Sequence, residues 1–318
     1  MRKLFVFSLI WMGTLLGACS DEKEPVVYPN DGKLSISTRV NANLNSFVFS
    51  IDDKIGLFVA SDGSDNWNKE NPYSNIMATS FGINRNSWKV EKDVLLDDAS
   101  VMVFAYFPYD ENVKSPLRIP VEIDRQGAFV DYLYGSNRQS QKVNRESPQA
   151  DIILNHALAM LQFDISIDPE QPYYGTGIID DARIIALNES GELIQNKQII
   201  QRGYLNCITG DIEPIHWGSV AITDLIGKSF KSDFSGKYPV CMVAPTYNMT
   251  NTAFMIQVDG KKFYIRLPEG TTWAKNTKNR YVITLSGEVM KFDPDSVIVE
   301  DWNTGDHTEG EFGGGDDF

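Results

Sequence analysis

The chain has 318 residues, of which 42% are hydrophobic, and its 29 basic and 43 acidic side chains give a formal charge of −14 at pH 7. So acidic a chain repels nucleic acid and anionic lipid, and neither is expected as a partner. The length suffices for two ordinary domains with hydrophobic cores, while three cysteines are too few for a disulfide-built scaffold.

The elements begin with a leader. Arg2 and Lys3 precede an apolar run over residues 4–16, which leads to Gly17-Ala18-Cys19. This is the form of a secretory signal, too short to span a bilayer comfortably. The small-small-Cys ending resembles the lipobox of bacterial lipoproteins. That resemblance implies removal of residues 1–18, acylation of Cys19, and a remaining chain two charges more negative because Arg2 and Lys3 are lost. Several acyl chains on one residue anchor a soluble domain where a single chain binds only marginally. Ser20-Asp21-Glu22-Lys23-Glu24 resembles the export signal that sends Bacteroidetes lipoproteins to the outer face of the outer membrane; a solvated tether has the same composition. Pro25 and Pro29 then mark a linker, so residues 19–32 are expected to be the acylated cysteine and its tether.

From residue 33 onward the pattern has period two. Leu34, Ile36, Thr38 and Val40 face one way, and Ser35, Ser37 and Arg39 the other, as in a half-buried strand. Residues 54–60, 101–107, 117–123, 152–154, 160–167, 182–187, 238–244, 253–258, 262–267, 280–286 and 296–300 read as further strands. Turn signals separate them, among them Asp62-Gly63, Thr209-Gly210-Asp211 and the hairpin dipeptide Asp259-Gly260, whose two positions tolerate positive φ. Residues 224–229 read as a short helical turn. Many short strands without a long helical period predict an all-β sandwich architecture. Asp168-Pro169-Glu170-Gln171-Pro172 is the expected linker between a first domain over 33–168 and a second over 169–303. Residues 304–318, Gly- and Asp-rich from Gly310 to Phe318, are expected to be a flexible tail. Cys207 and Cys241 both sit in apolar, strand-like surroundings, where a bridge and two buried thiols are each compatible with the residues.

The catalytic residue types form no usable set. The histidines, at 156, 216 and 307, have no metal-ligand spacing. There is no Gly-x-Ser-x-Gly elbow, Walker loop or dinucleotide fingerprint. No enzymatic activity, cofactor or metal is therefore expected, and His156, without a nearby nucleophile, reads as a hydrogen-bonded structural residue. Asp52-Asp53, Asp97-Asp98 and Asp180-Asp181 imitate glycosidase carboxylates but fall at loop–strand junctions. Asp62, Ser64, Asn66 and Asn68 alternate like a calcium loop, yet Trp67 replaces its glycine and Tyr73 its bidentate glutamate, which leaves a polar hairpin loop. Trp67, Tyr73, Trp88, Tyr106, Phe107 and Tyr109 are either sandwich core or a sugar-stacking platform. The platform reading, centred on Trp67 and Trp88, would make the chain a surface glycan-binding lipoprotein of a polysaccharide-utilisation system.

Five segments in order resemble the fimbrillin family, the FimA-like and Mfa-like fimbrial subunits of Bacteroidales. They are Asp53-Lys54-Ile55-Gly56-Leu57-Phe58-Val59, Val103-Phe104-Ala105-Tyr106-Phe107-Pro108-Tyr109, and Asp131-Tyr132-Leu133-Tyr134-Gly135. Then come Asn155-His156-Ala157-Leu158-Ala159-Met160-Leu161, and Asn279-Arg280-Tyr281-Val282-Ile283-Thr284-Leu285 leading to Val297-Ile298-Val299-Glu300-Asp301-Trp302. The resemblance implies two tandem transthyretin-like β-sandwiches in a surface fimbrium. It also implies that a surface protease cuts after an arginine near the first strand. Loss of that strand opens a groove, which a strand from another subunit fills by β-augmentation. Here the strand is Leu34, Ile36, Thr38 and Val40 with their neighbours, and Arg39 is the arginine beside it. Anchor subunits would keep both strand and lipid. The implied partners are other fimbrial subunits, the outer membrane through the lipid, and host or bacterial surface ligands. Asp295-Ser296-Val297 also resembles the acceptor for O-glycosylation in exported Bacteroidetes proteins, which makes Ser296 a candidate.

Overall fold

The computed structural model describes residues 32–40, 49–61, 73–81, 87–123 and 130–302. Cys19, Trp67, the Asp62–Asn68 loop, His307 and the tail lie outside the described residues. Within them the chain is all-β, with two single-turn 3-10 segments, Thr223–Leu225 and Pro294–Ser296. The first falls at the helical turn expected over 224–229.

Eight strands come from the first half: β1 (Ser35–Val40), β2 (Lys54–Ser61), β3 (Ile76–Phe81), β4 (Ser87–Val90), β5 (Val101–Phe107), β6 (Ile119–Glu122), β7 (Leu133–Asn137) and β8 (Gln149–His156). All but β6 curl into a closed sheet in the order β1-β4-β3-β2-β5-β7-β8. Its inward residues form one core, including Ile36, Phe49, Ile55, Leu57, Leu133 and Ile152. Gly56 is required here by close approach. It pairs across with Tyr106, and a Cβ on it would stand 2.1 Å from that ring.

The rest of the chain supplies β9 (Ala159–Ile167), β10 (Ile179–Leu187), β11 (Leu193–Ile194), β12 (Ile200–Leu205), β13 (Ile212–Trp217), β14 (Val220–Ala221), β15 (Val240–Val243) and β16 (Thr246–Met249). They are followed by β17 (Thr252–Val258), β18 (Lys261–Arg266), β19 (Thr271–Trp273), β20 (Thr277–Ser286), β21 (Val289–Phe292) and β22 (Ile298–Asp301). Two sheets face each other. One runs β11-β10-β17-β18 with β14 also on β10, and the other β15-β9-β20-β21 with β22 also on β20. Phe254 from the first meets Phe163 and Tyr281 from the second, edge to face, at ring separations of 5.3 and 4.9 Å. Trp273 Nε1 donates to Tyr281 Oη at 2.7 Å, so the buried indole N–H is satisfied. The predicted hairpin at Asp259-Gly260 joins β17 to β18, with φ of 48° and 79° at its two residues.

Strand pairing changes partners at Ala157-Leu158. β8 closes the first sheet, while β9 pairs with β15 and β20 in the second half. The expected linker at 168–172 instead lies between β9 and β10, both in the second half, and is stitched to the β20–β21 hairpin. Asp168 accepts from Ser286 Oγ at 2.8 Å and Lys291 Nζ at 3.2 Å, and Gly287 N donates to Gln171 O at 2.6 Å. The two prolines mark a bend but no change of core. A third sheet, β13-β12-β6, crosses between the halves because β6 pairs with β12.

Candidate functional site

The first strand is where sequence pattern and structure converge. Leu34, Ile36 and Thr38 are buried and Val40 is half-buried against the core of the first half, whereas Ser35 and Arg39 are exposed. On one side β1 lies parallel to β8 through six residue pairs, from Ser35↔Gln149 to Val40↔Leu154. On the other side it meets β4 at Ser37↔Ser87 alone among the described strand residues. The segment entering β1 is tied by Leu34 N to Val94 O and by Leu96 N to Gly32 O, both at 2.9 Å. Among the described residues β1 thus closes the sheet with six pairs to β8 and one to β4, and the segment entering it is tied to residues 94–96.

Its two faces are fixed differently. Inside, Thr38 Oγ1 accepts from Trp88 Nε1 at 2.8 Å, and the Trp88 ring meets Phe49 edge to face at 4.9 Å. Trp88 is only 6% exposed, which corrects its reading as a sugar platform: the ring has no free face to stack on. Outside, polar side chains of β1 and β8 form a lattice around one carboxylate. Ser35 Oγ donates to Gln149 Oε1 at 2.7 Å and Ser37 Oγ to Asp151 Oδ1 at 2.6 Å. Gln149 and Gln141 side-chain amides also donate to Asp151, at 3.2 and 3.1 Å. The Ser37 hydrogen bond, helped by the amides, holds the Asp151 carboxyl below its usual range. Sequence reading missed this lattice. Its signal was the polar alternation Gln149, Asp151 just ahead of the expected strand 152–154.

Arg39 lies on the same outer face, in an open cleft of about 500 Å³ shared with Arg138, Ser140 and Asp151. The peptide bond after it joins two residues paired to Ile153 and Leu154. A protease that binds its substrate as an extended chain must lift this end of β1 before cutting there.

The other singled-out residues have structural work. His156 is buried, with Nδ1 2.7 Å from Asp131 Oδ2, and its ring stacks on Trp302 at 4.0 Å, so the last strand is pinned to the turn between β8 and β9. Asp53 accepts from Ser50 N, Asp97 and Asp98 face Arg145, Asp180 accepts from Gly260 N, and Asp181 pairs with Arg183. Cys207 and Cys241 are buried and not bridged to each other, and burial pushes the Cys207 thiol up to about 12. Ser296 is half-buried in the turn before β22 and donates to Asp293 O at 2.6 Å. Among the described residues, no group of three or more His, Cys, Asp or Glu side chains could hold a metal.

The closed first sheet and the facing sheets of the second half define an all-β chain, and comparison with known proteins makes its class specific. The family model described as fimbrillin-like matches residues 38–302, and the chain belongs to that family. A candidate fimbrium subunit of Bacteroides uniformis, Fim1C, is 23% identical over 314 residues, covering 96% of this chain and 97% of its own. The crystal structure of a candidate cell adhesion protein from Bacteroides uniformis superposes with a TM-score of 0.62 at 18% identity, over 86% of this chain and 100% of the other. One from Bacteroides ovatus gives 0.57 at 16% identity, over 86% and 99%. At such identities the structural matches speak for the fold.

Proposed function

We propose that the chain is a fimbrial subunit or fimbrium-associated adhesin, exported with its lipid on Cys19 and presented at the outer membrane surface, and that it assembles by exchanging β1 for a strand of another subunit. The observation that supports this reading is the asymmetric hold on β1 among the described residues: six pairs to β8 and one to β4. Lifting β1 opens a slot between β4 and β8 lined by apolar side chains and unpaired backbone groups. Such an edge binds another chain through main-chain hydrogen bonds, with alternate side chains seated in the sites of Leu34, Ile36 and Thr38. Cleavage after Arg39 is the trigger, and a subunit that escapes it keeps its strand and its lipid as an anchor. The organisation that fits is two β-sandwich domains meeting at Ala157-Leu158, with no catalytic role.

The test is limited trypsin treatment of the purified chain, followed by intact mass and light scattering. Cleavage after Arg39 should release the strand and convert monomer into oligomers, and Arg39→Gln should stay monomeric under the same treatment. A cleaved chain that remains monomeric with residues 33–39 still bound would contradict strand exchange.

A further inference from the structure

The outer face of the β11-β10-β17-β18 sheet carries a cleft of about 450 Å³ that strand exchange does not use. Its floor is Ile185 and Met255, which join Leu187 and Ala253 in a small apolar cluster separate from the main cores. β11 and β14 pair with successive stretches of the same edge of β10, and the residues beside them, Asn196 and Ser219, wall the cleft. Tyr264 pairs across from Met255 and is 45% exposed.

Two cations line this cleft with hydrogen-bonding capacity to spare. Arg183 gives its Nε to both oxygens of Asp181, at 3.0 and 2.9 Å, and its terminal nitrogens have no partner among the described residues. Lys262, paired in register with Gln257, has no acidic partner among them either. Asn196, 5% exposed, accepts from Gln198 N and Ile199 N through Oδ1, while its Nδ2 finds no acceptor. In a chain of charge −14, a cleft with two cations and one carboxylate is a local reversal of sign.

An exposed aromatic ring over an apolar floor offers a flat face to a sugar ring, and few, convergent polar groups then set orientation. A neutral ligand would leave Lys262 without a counter-charge and the Arg183 terminal nitrogens without acceptors among the described residues, and a guanidinium edge suits a carboxylate. We propose that this cleft binds a carboxylated pyranose, with the sugar ring on Tyr264, the acid group at Arg183 and Lys262, and hydroxyls toward the amide-bearing wall.

The site is independent of β1, so its test neither needs nor decides strand exchange. Titration calorimetry on the purified chain would compare sialyllactose, a hyaluronan tetrasaccharide and lactose. One or both acidic sugars should bind, and lactose should bind at least about tenfold more weakly, since losing a charge-assisted hydrogen bond is worth a tenfold change or more. Binding of sialyllactose alone assigns a terminal sialic acid, and of the tetrasaccharide alone a uronic acid. Tyr264→Ala and Lys262→Glu, both exposed and outside the cores, should each weaken binding by about tenfold. No binding of either acidic sugar at millimolar concentration, equal binding of lactose, or unchanged binding by both variants would overturn the proposal.

Discussion

Strands β1 and β20 each run parallel to a neighbour that leads into or out of the same turn, β8 for one and β9 for the other, but their second edges differ. β20 is paired to β9 through eight residues, and on its opposite edge β22 takes residues 277–280 and β21 takes 283–286. Among the described residues β1 has six residues on β8 and one on β4. Both strands bury apolar side chains at period two, so burial does not distinguish them. The pairing among the described residues does: a strand bonded at length along both edges leaves only when the sheet unfolds, whereas one with a long pairing on one edge and a short one on the other can leave by itself. The lattice on Asp151 and the Thr38–Trp88 bond then fix how firmly β1 is held while it stays.

The comparison is sharpest when equivalent cuts are made in both strands. Ile283→Ala and Ile36→Ala each remove a buried side chain, at a cost of about 2–5 kcal/mol. The Ile283 change should appear in full as lowered global stability in urea melts. The Ile36 change should leave the main transition nearly in place while making the Arg39 bond open to trypsin many times faster. If both variants lower the global midpoint alike and proteolysis is unaltered, β1 is no more separable than β20.

A smaller effect is expected at Thr38→Val, which keeps the shape but leaves the Trp88 N–H buried without an acceptor. Such an orphaned donor costs about 1–3 kcal/mol. The loss should fall on β1 docking, and tryptophan emission should shift on trypsin treatment at lower enzyme concentration than in the parent chain. The equivalent loss of a rim hydroxyl in the β9–β20 pair, Ser166→Ala opposite Thr284, should change little, because that bond is exposed.

The smallest effect is the pH dependence carried by Asp151. Its carboxyl is held below the ordinary carboxylate range in the docked state, chiefly by Ser37, so the docked strand is favoured above the unperturbed carboxylate pKa of about 4. That contribution is lost as pH falls through the lowered value. Trypsin-like sensitivity measured with an acid-tolerant protease should therefore rise below about pH 4 in the parent chain, and Asp151→Asn should flatten the response.

How much of this was legible in the sequence follows from which interactions are local. The alternation of Leu34, Ile36 and Thr38 is a local signal, and it marks both β1 and its inward face. The partner of β1 is not local: β8 lies more than a hundred residues away, and nothing in residues 33–40 specifies a parallel neighbour. β12 and β13 went unread because Gly203 and Pro214 interrupt their patterns, although a proline is tolerated on an edge strand such as β13. The prolines at 169 and 172 looked like a boundary because composition reports bends, whereas the true change of partners at Ala157-Leu158 is made of core residues and carries no compositional mark. Trp88 looked available because an aromatic in a polar stretch reads the same whether it faces solvent or core. Only the register β3–β4–β1 turns it inward.

Native-state hydrogen exchange by NMR, compared between the amides of β1 and those of β20 across increasing urea, tests the separability of the first strand most directly. The account predicts that the bonded amides of residues 35–40 open at a lower free energy than those of 278–285, through an event that leaves β20 protected. Opening of both sets at one common free energy, equal to global unfolding, would contradict it.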